Sequence, residues 1–60
     1  MAKKTKKFRV NFNNGDYDIL PKDYLDMEFD SVHDRWIFYH KNGRDHRYYM
    51  DADVESVKRI

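Results

Sequence analysis

The sequence predicts a mainly β fold: a small five-stranded antiparallel sheet, strongly bent, built on two Asn-Gly hairpins. Three observations carry that expectation. The stretch Trp36 to Met50 places aromatic-rich runs on both sides of Asn42-Gly43, the strongest short-range hairpin signal a sequence offers. Residues 8–13 alternate strictly between apolar and polar, then meet a second such dipeptide, Asn14-Gly15. Half of all the aromatic residues (Trp36, Phe38, Tyr39, Tyr48 and Tyr49) sit on the Asn42-Gly43 ribbon, so the core must assemble there.

Residues 1–6 are polar and carry no partner signal, which predicts a disordered basic arm ahead of one small domain over 7–60. From there Phe8, Val10 and Phe12 point one way and Arg9, Asn11 and Asn13 the other. Both positions of a two-residue type I′ turn need positive φ, which Asn14-Gly15 supplies. Such a turn sets Phe12 against Tyr17 and Val10 against Ile19 on the inner side. Asn13 then faces Asp16, and Asn11 faces Asp18, on the outer side.

Pro21 has no N–H for a ladder and should end the second strand, with Pro21 to Tyr24 forming a turn or one 3₁₀ turn. Leu25, Met27 and Phe29 alternate with Asp26, Glu28 and Asp30, which reads as a half-buried strand with an acidic outer face. A helix over 22–29 is the rival reading, because Leu25 and Phe29 are also four apart. Ser31 to Arg35 reads as a polar link.

The Asn42-Gly43 hairpin is clear as an element but open in register. A two-residue loop opposes Lys41 and Arg44, an unfavourable like-charge pair. A three-residue bulged loop sets Lys41 against Asp45 and Phe38 against Tyr48. A type I turn over Lys41-Asn42 with Gly43 left-handed is the third form. The charge argument favours the bulged forms. The end of the chain is ambiguous between two readings. In one, Asp51 begins a short C-terminal helix with Val54 and Val57 on one face. In the other, Asp51 to Val54 forms a 3₁₀ turn and Glu55 to Ile60 a closing strand. The second is preferred, because so short a helix is marginal without packing.

In its order of elements (hairpin, connecting strand, aromatic hairpin, 3₁₀ turn, last strand) the chain resembles small SH3-like barrels such as archaeal chromatin proteins. The resemblance covers most of residues 7–60 as a layout. It carries no motif and implies no functional residue here, and the lysine density of those proteins is missing.

Sixty residues bound the chain to one domain, close to the lower size limit for folding alone. With no cysteine, neither a disulfide nor a thiolate zinc site can staple it. No run approaches the ~20 apolar residues of a bilayer span. The lysine-rich start has no apolar stretch behind it, unlike a signal peptide. These features lead to an expectation of a cytoplasmic protein with no membrane partner.

The net charge of +1 hides an uneven distribution. Residues 1–9 carry +5, residues 10–34 carry −6 and residues 35–60 carry +2. An outward acidic row beside surplus tyrosines suits a basic protein partner, such as a nucleic-acid-handling protein, because Tyr is favoured at interface hot spots. The expected protein-binding residues are Asp26, Glu28 and Asp30 with Tyr24, Tyr39 and Tyr49 exposed beside them. The alternative is a nucleic-acid surface in which Lys3, Lys4, Lys6, Lys7, Arg35, Lys41, Arg44 and Arg47 hold phosphate while tyrosines stack on bases. The acidic middle opposes it.

Neither a metal site nor catalysis is expected. His40 and His46 flank a turn, with His33 or Asp45 as a further ligand, but zinc needs three or four ligands held tetrahedrally. Carboxylates abound without a pocket to shift them, the serines stand in no motif, and Gly15 and Gly43 are turn glycines rather than a phosphate loop. The chain is therefore read as a non-enzymatic interaction protein, an accessory subunit or inhibitor, without a cofactor. An unpaired edge strand would also allow a homodimer.

Overall fold

The computed structural model describes residues 7–60, so the expected arm over 1–6 lies outside the described residues. Six strands follow one another: β1 (Phe8–Phe12), β2 (Tyr17–Ile19), β3 (Tyr24–Asp30), β4 (Arg35–His40), β5 (Arg47–Met50) and β6 (Val54–Arg59). A single 3₁₀ turn, Asp51–Asp53, separates β5 from β6. The strands form two three-stranded antiparallel sheets, ordered β2-β1-β6 and β3-β4-β5. The five-stranded sheet expected from the sequence is thus replaced by two sheets of three, and the described strands do not close into a barrel. Residues 22–29 form turn and strand rather than helix, and the chain ends in the turn-plus-strand form.

The two sheets share one small core. Phe8, Val10, Leu20, Tyr24 and Phe38 are buried, and Phe12, Trp36, Tyr49, Val54 and Val57 pack around them. Phe8 meets Phe38 edge-on at 5.2 Å between ring centroids, and Phe38 meets Tyr49 at 5.6 Å. Such pairs add about 0.5–1.5 kcal/mol beyond the area they bury. In a chain this short they stand in for the missing disulfides.

The β1–β2 register differs from the expected one. Asn11 pairs with Tyr17 and Val10 with Asp18, one residue away from the two-residue-turn alignment. The turn has three residues instead: Gly15 N–H donates to Phe12 O at 3.1 Å, and Phe12 N–H to Asp16 O at 2.8 Å. Gly15 takes the left-handed position at φ +95°, and Asn14 Oδ1 accepts the Asp16 N–H. Because side chains alternate, a slip of one residue turns the whole strand over. Tyr17 and Ile19 therefore face outward, while Asp18 and Leu20 face inward, with Leu20 only 1% exposed. The slip also frees Asn13 to clamp the 3₁₀ turn: its N–H donates to Asp53 O and its amide to Ala52 O.

Leu25 does not reach the core. It is the extra residue of a bulge between Tyr24↔His40 and Asp26↔Tyr39, and it is exposed. The bulge lets Tyr24 and Met27 lie on the same inner side, so Tyr24 fills the place expected for Leu25. The stretch 31–34 is the turn of a β3–β4 hairpin rather than a simple link, with Asp34 at φ +52°. Asp30 organises that turn by accepting the N–H groups of Val32 and His33.

In the β4–β5 hairpin, Phe38 pairs with Arg47 rather than with Tyr48. The turn itself lies over Lys41-Asn42, with Gly43 N–H donating to His40 O and Gly43 at φ +76°. Residues 44–46 do not join the ladder. Asn42 Oδ1 and the His46 ring take up the N–H groups that the shortened ladder leaves.

Candidate functional site

The side of β3-β4-β5 turned away from the core is a chemically patterned surface. Alternation places Asp26, Glu28 and Asp30 of β3 there. Cross-strand pairing sets them beside Tyr39, Ile37 and Arg35 of β4, in that order. Tyr48 lies beyond Ile37 and Met50 beyond Arg35 on β5. The face thus runs from an acidic row to an apolar row, with Tyr48 and Met50 each about half exposed.

The acids are not equivalent. Asp30 is neutralised locally: His33 Nδ1 lies 2.8 Å and Arg35 Nε 3.0 Å from its Oδ2. The His33 contact, then Arg35 and the two turn N–H groups, outweigh the opposing effect of desolvation and hold its pKa down at about 2. Glu28 accepts the Tyr39 hydroxyl at 2.7 Å, which raises the tyrosine's pKa and fixes its ring along the sheet. Among the described residues, neither Asp26 nor Glu28 has an ion-pair partner. The net negative charge of the face is therefore concentrated on those two carboxylates. Arg35 lies over the Tyr48 ring at 4.5 Å, and the His46 ring packs on Tyr39 at 4.9 Å.

Of the residues expected from the sequence, Asp26, Glu28, Asp30 and Tyr39 share this face. Tyr24 and Tyr49 do not. Tyr24 is only 7% exposed and belongs to the core; its hydroxyl donates to Asp45 O and accepts from Arg47 Nε. Tyr49 lies on the inner side against Phe12 and Phe38, half-buried, donating to Asp18. Both were expected outside because a 60-residue core has limited room. The Leu25 bulge and the β2 slip give them that room. Ile37, Tyr48 and Met50 were missed as members of the face. Stepping by two from Tyr39 would have found Ile37; Tyr48 and Met50 needed the hairpin register.

The basic candidates are not gathered together. Lys3, Lys4 and Lys6 lie outside the described residues, and Lys7 is exposed just ahead of β1. Arg35 is held by Asp30 on the outer face, whereas Arg47 lies toward Tyr24 on the opposite side. Lys41 is 3.2 Å from Asp23. Arg44 sits exposed beside the turn.

His40 and His46 are neighbours, but each ring nitrogen Nδ1 accepts a backbone N–H, from Asn42 and His40 respectively. Their rings stack edge-on against Tyr24 and Tyr39. Among the described residues, no three His, Cys, Asp or Glu side chains converge as metal ligands would. A surface depression of about 440 Å³ lies away from the patterned face, bounded by Phe12, Asn13, Tyr49 and Asp53 among others. No described helix is long and apolar enough to cross a membrane.

No protein-family model matches the chain, and no curated protein or solved structure matches it either.

Proposed function

We propose that the protein is a non-enzymatic interaction module, of the accessory-subunit or inhibitor type, that docks a basic protein on the outer face of β3-β4-β5. One observation carries the reading: Asp26 and Glu28, without ion-pair partners among the described residues, lie one strand away from Ile37 and Tyr39 and two strands from the half-exposed Tyr48 and Met50. Charge selects and steers a basic partner, while the aromatic and aliphatic row supplies contact area that desolvates cheaply. We place the partner in the cytoplasm, in line with the cysteine-free sequence.

The two sheets are read as the halves of an SH3-like small barrel. Support comes from the order of elements, the 3₁₀ turn ahead of the last strand, and the return of β6 to pair with β1. Mutual hydrogen bonds between Lys7 and Ile60 extend that pairing to the ends of the described chain.

The test uses poly-L-lysine as the basic probe. A chain of net charge +1 has no overall attraction for it, so binding must come from a local patch. Asp26→Lys and Glu28→Lys should each weaken binding, whereas deletion of residues 1–7, which removes four lysines and leaves the chain net negative, should not weaken it. The nucleic-acid reading makes the opposite forecast with a single-stranded DNA probe: steep salt dependence, lost when residues 1–7 are removed. If the two charge reversals leave poly-L-lysine binding unaltered, the docking reading fails.

A further inference from the structure

We infer that the free edge of β3 takes an extended segment of the partner as an added strand, and that this segment alternates basic with apolar residues. The inference rests on the docking reading above and specifies how the partner is held. Among the described residues, β3 is an outer strand of its sheet, paired on one side only, by β4. Five of its residues, 26–30, keep an unbroken register. An edge of that kind presents backbone N–H and C=O groups to any incoming strand.

The two sides of this edge differ in chemistry. Asp26 and Glu28 line the outer side. Met27 and Phe29 line the inner side, where sheet β2-β1-β6 leaves them 41% and 40% exposed. At the other end, Arg59 Nη2 of β6 reaches Leu25 O, at the bulged start of the strand, at 3.4 Å. An added strand would therefore meet carboxylates on one side and an aromatic-thioether surface on the other. Side chains of a strand alternate between those sides, which demands a basic–apolar alternation.

The same geometry disfavours a second copy as the occupant. Antiparallel self-pairing centred on Glu28 opposes Asp26 and Asp30; centred on Met27, it opposes Asp26 and Glu28. Every such alignment sets acid against acid, which destabilises a pair. Charged edge residues are also a means of blocking aggregation. Blocking alone does not account for Met27 and Phe29 standing open behind those charges. A segment with lysine or arginine at every second position reverses the sign of the same contacts.

The experiment keeps the protein unaltered and varies the probe. A short capped peptide alternating lysine with valine is compared with a block peptide of identical composition, and with an alternating peptide N-methylated at every second residue. Affinity and amide hydrogen exchange are both read. The alternating peptide should bind most tightly and slow exchange at alternate amides within 26–30. N-methylation on the pairing edge should cost roughly tenfold in affinity, the effect of losing one or two net hydrogen bonds. Equal binding of all three peptides without protection at 26–30 would overturn the strand addition while leaving the docking face intact. No binding by any of them, with poly-L-lysine also inert, would overturn both.

Discussion

The Tyr49 hydroxyl donates to Asp18 Oδ2 at 2.9 Å, joining strands that lie 31 residues apart and belong to different sheets. The bond exists only because the three-residue turn at Asn13–Gly15 rotates β2 and brings Asp18 to the inner side. Burial, then the Asp18 contact, raises the pKa of this tyrosine. Tyr49→Phe leaves a half-buried carboxylate without that donor and should cost about 1–3 kcal/mol in chemical denaturation. The Asp18→Asn variant should lose less, because an amide oxygen still accepts.

Ionisation of Tyr49 gives a second route to the same contact. A group whose pKa is higher folded than unfolded contributes stability that is complete below its unfolded value, near 10, and lost as pH rises through the folded value. The wild type should therefore lose stability relative to Tyr49→Phe as pH is raised above about 10. Denaturation midpoints of the two proteins measured across that range check the direction.

Acid should act on a different element. Asp30 falls from 3.8 to about 2 on folding. A depressed carboxylate contributes stability that is present above its unfolded value and disappears as pH falls through the folded one. The advantage of wild type over Asp30→Asn, which keeps the turn's N–H acceptor but not the charge, should be present above pH 3.8. It should shrink between 3.8 and about 2. Thermal melts across an acid series measure it.

Gly15 and Gly43 test the turns. Among the described residues nothing lies within 4 Å of a Cβ added at either, so any cost is conformational. At φ +95° an alanine at position 15 should destabilise by about 1–2 kcal/mol. Asparagine there should be tolerated better, since it visits left-handed backbone more readily.

Position in the sheet separates two apolar residues of the same cross-strand pair. Phe38 is fully buried and Met27, opposite it, is 41% exposed. Phe38→Ala should cost about 3–5 kcal/mol, enough to unfold a domain this small. Met27→Ala should stay within about 1 kcal/mol and spare the fold. Urea titration distinguishes them, and equal losses would mean that the free inner surface of β3 is not free.

Much of the strand order was legible because alternation and turn residues act locally. Phe8-Val10-Phe12, the acidic alternation of 26–30 and the 3₁₀ turn before β6 all follow from short-range chemistry. Register was not legible, because Asn-Gly fits either a two-residue turn or a longer loop ending in a left-handed glycine. The decision depends on long-range contacts: Leu20 joins Phe8 in the core, and Asp18 accepts the Tyr49 hydroxyl. The Leu25 bulge was hidden for the same reason, since the run Leu25-Met27-Phe29 looks uninterrupted until Tyr24 competes for the core. Among the site residues, the acids and Tyr39 followed from alternation alone. Tyr24 and Tyr49 were misplaced because ring-bearing side chains look alike in a sequence whether they fill a core or cover a surface.

The amide shift map of the labelled protein under titration with poly-L-lysine bears most directly on the docking face. Perturbations should concentrate at 26–30, 35–39 and 48–50, and should shrink in Glu28→Lys at the same poly-L-lysine concentration. Shifts confined to the β1–β2 turn and β6, with 26–30 unmoved, would contradict the proposed surface.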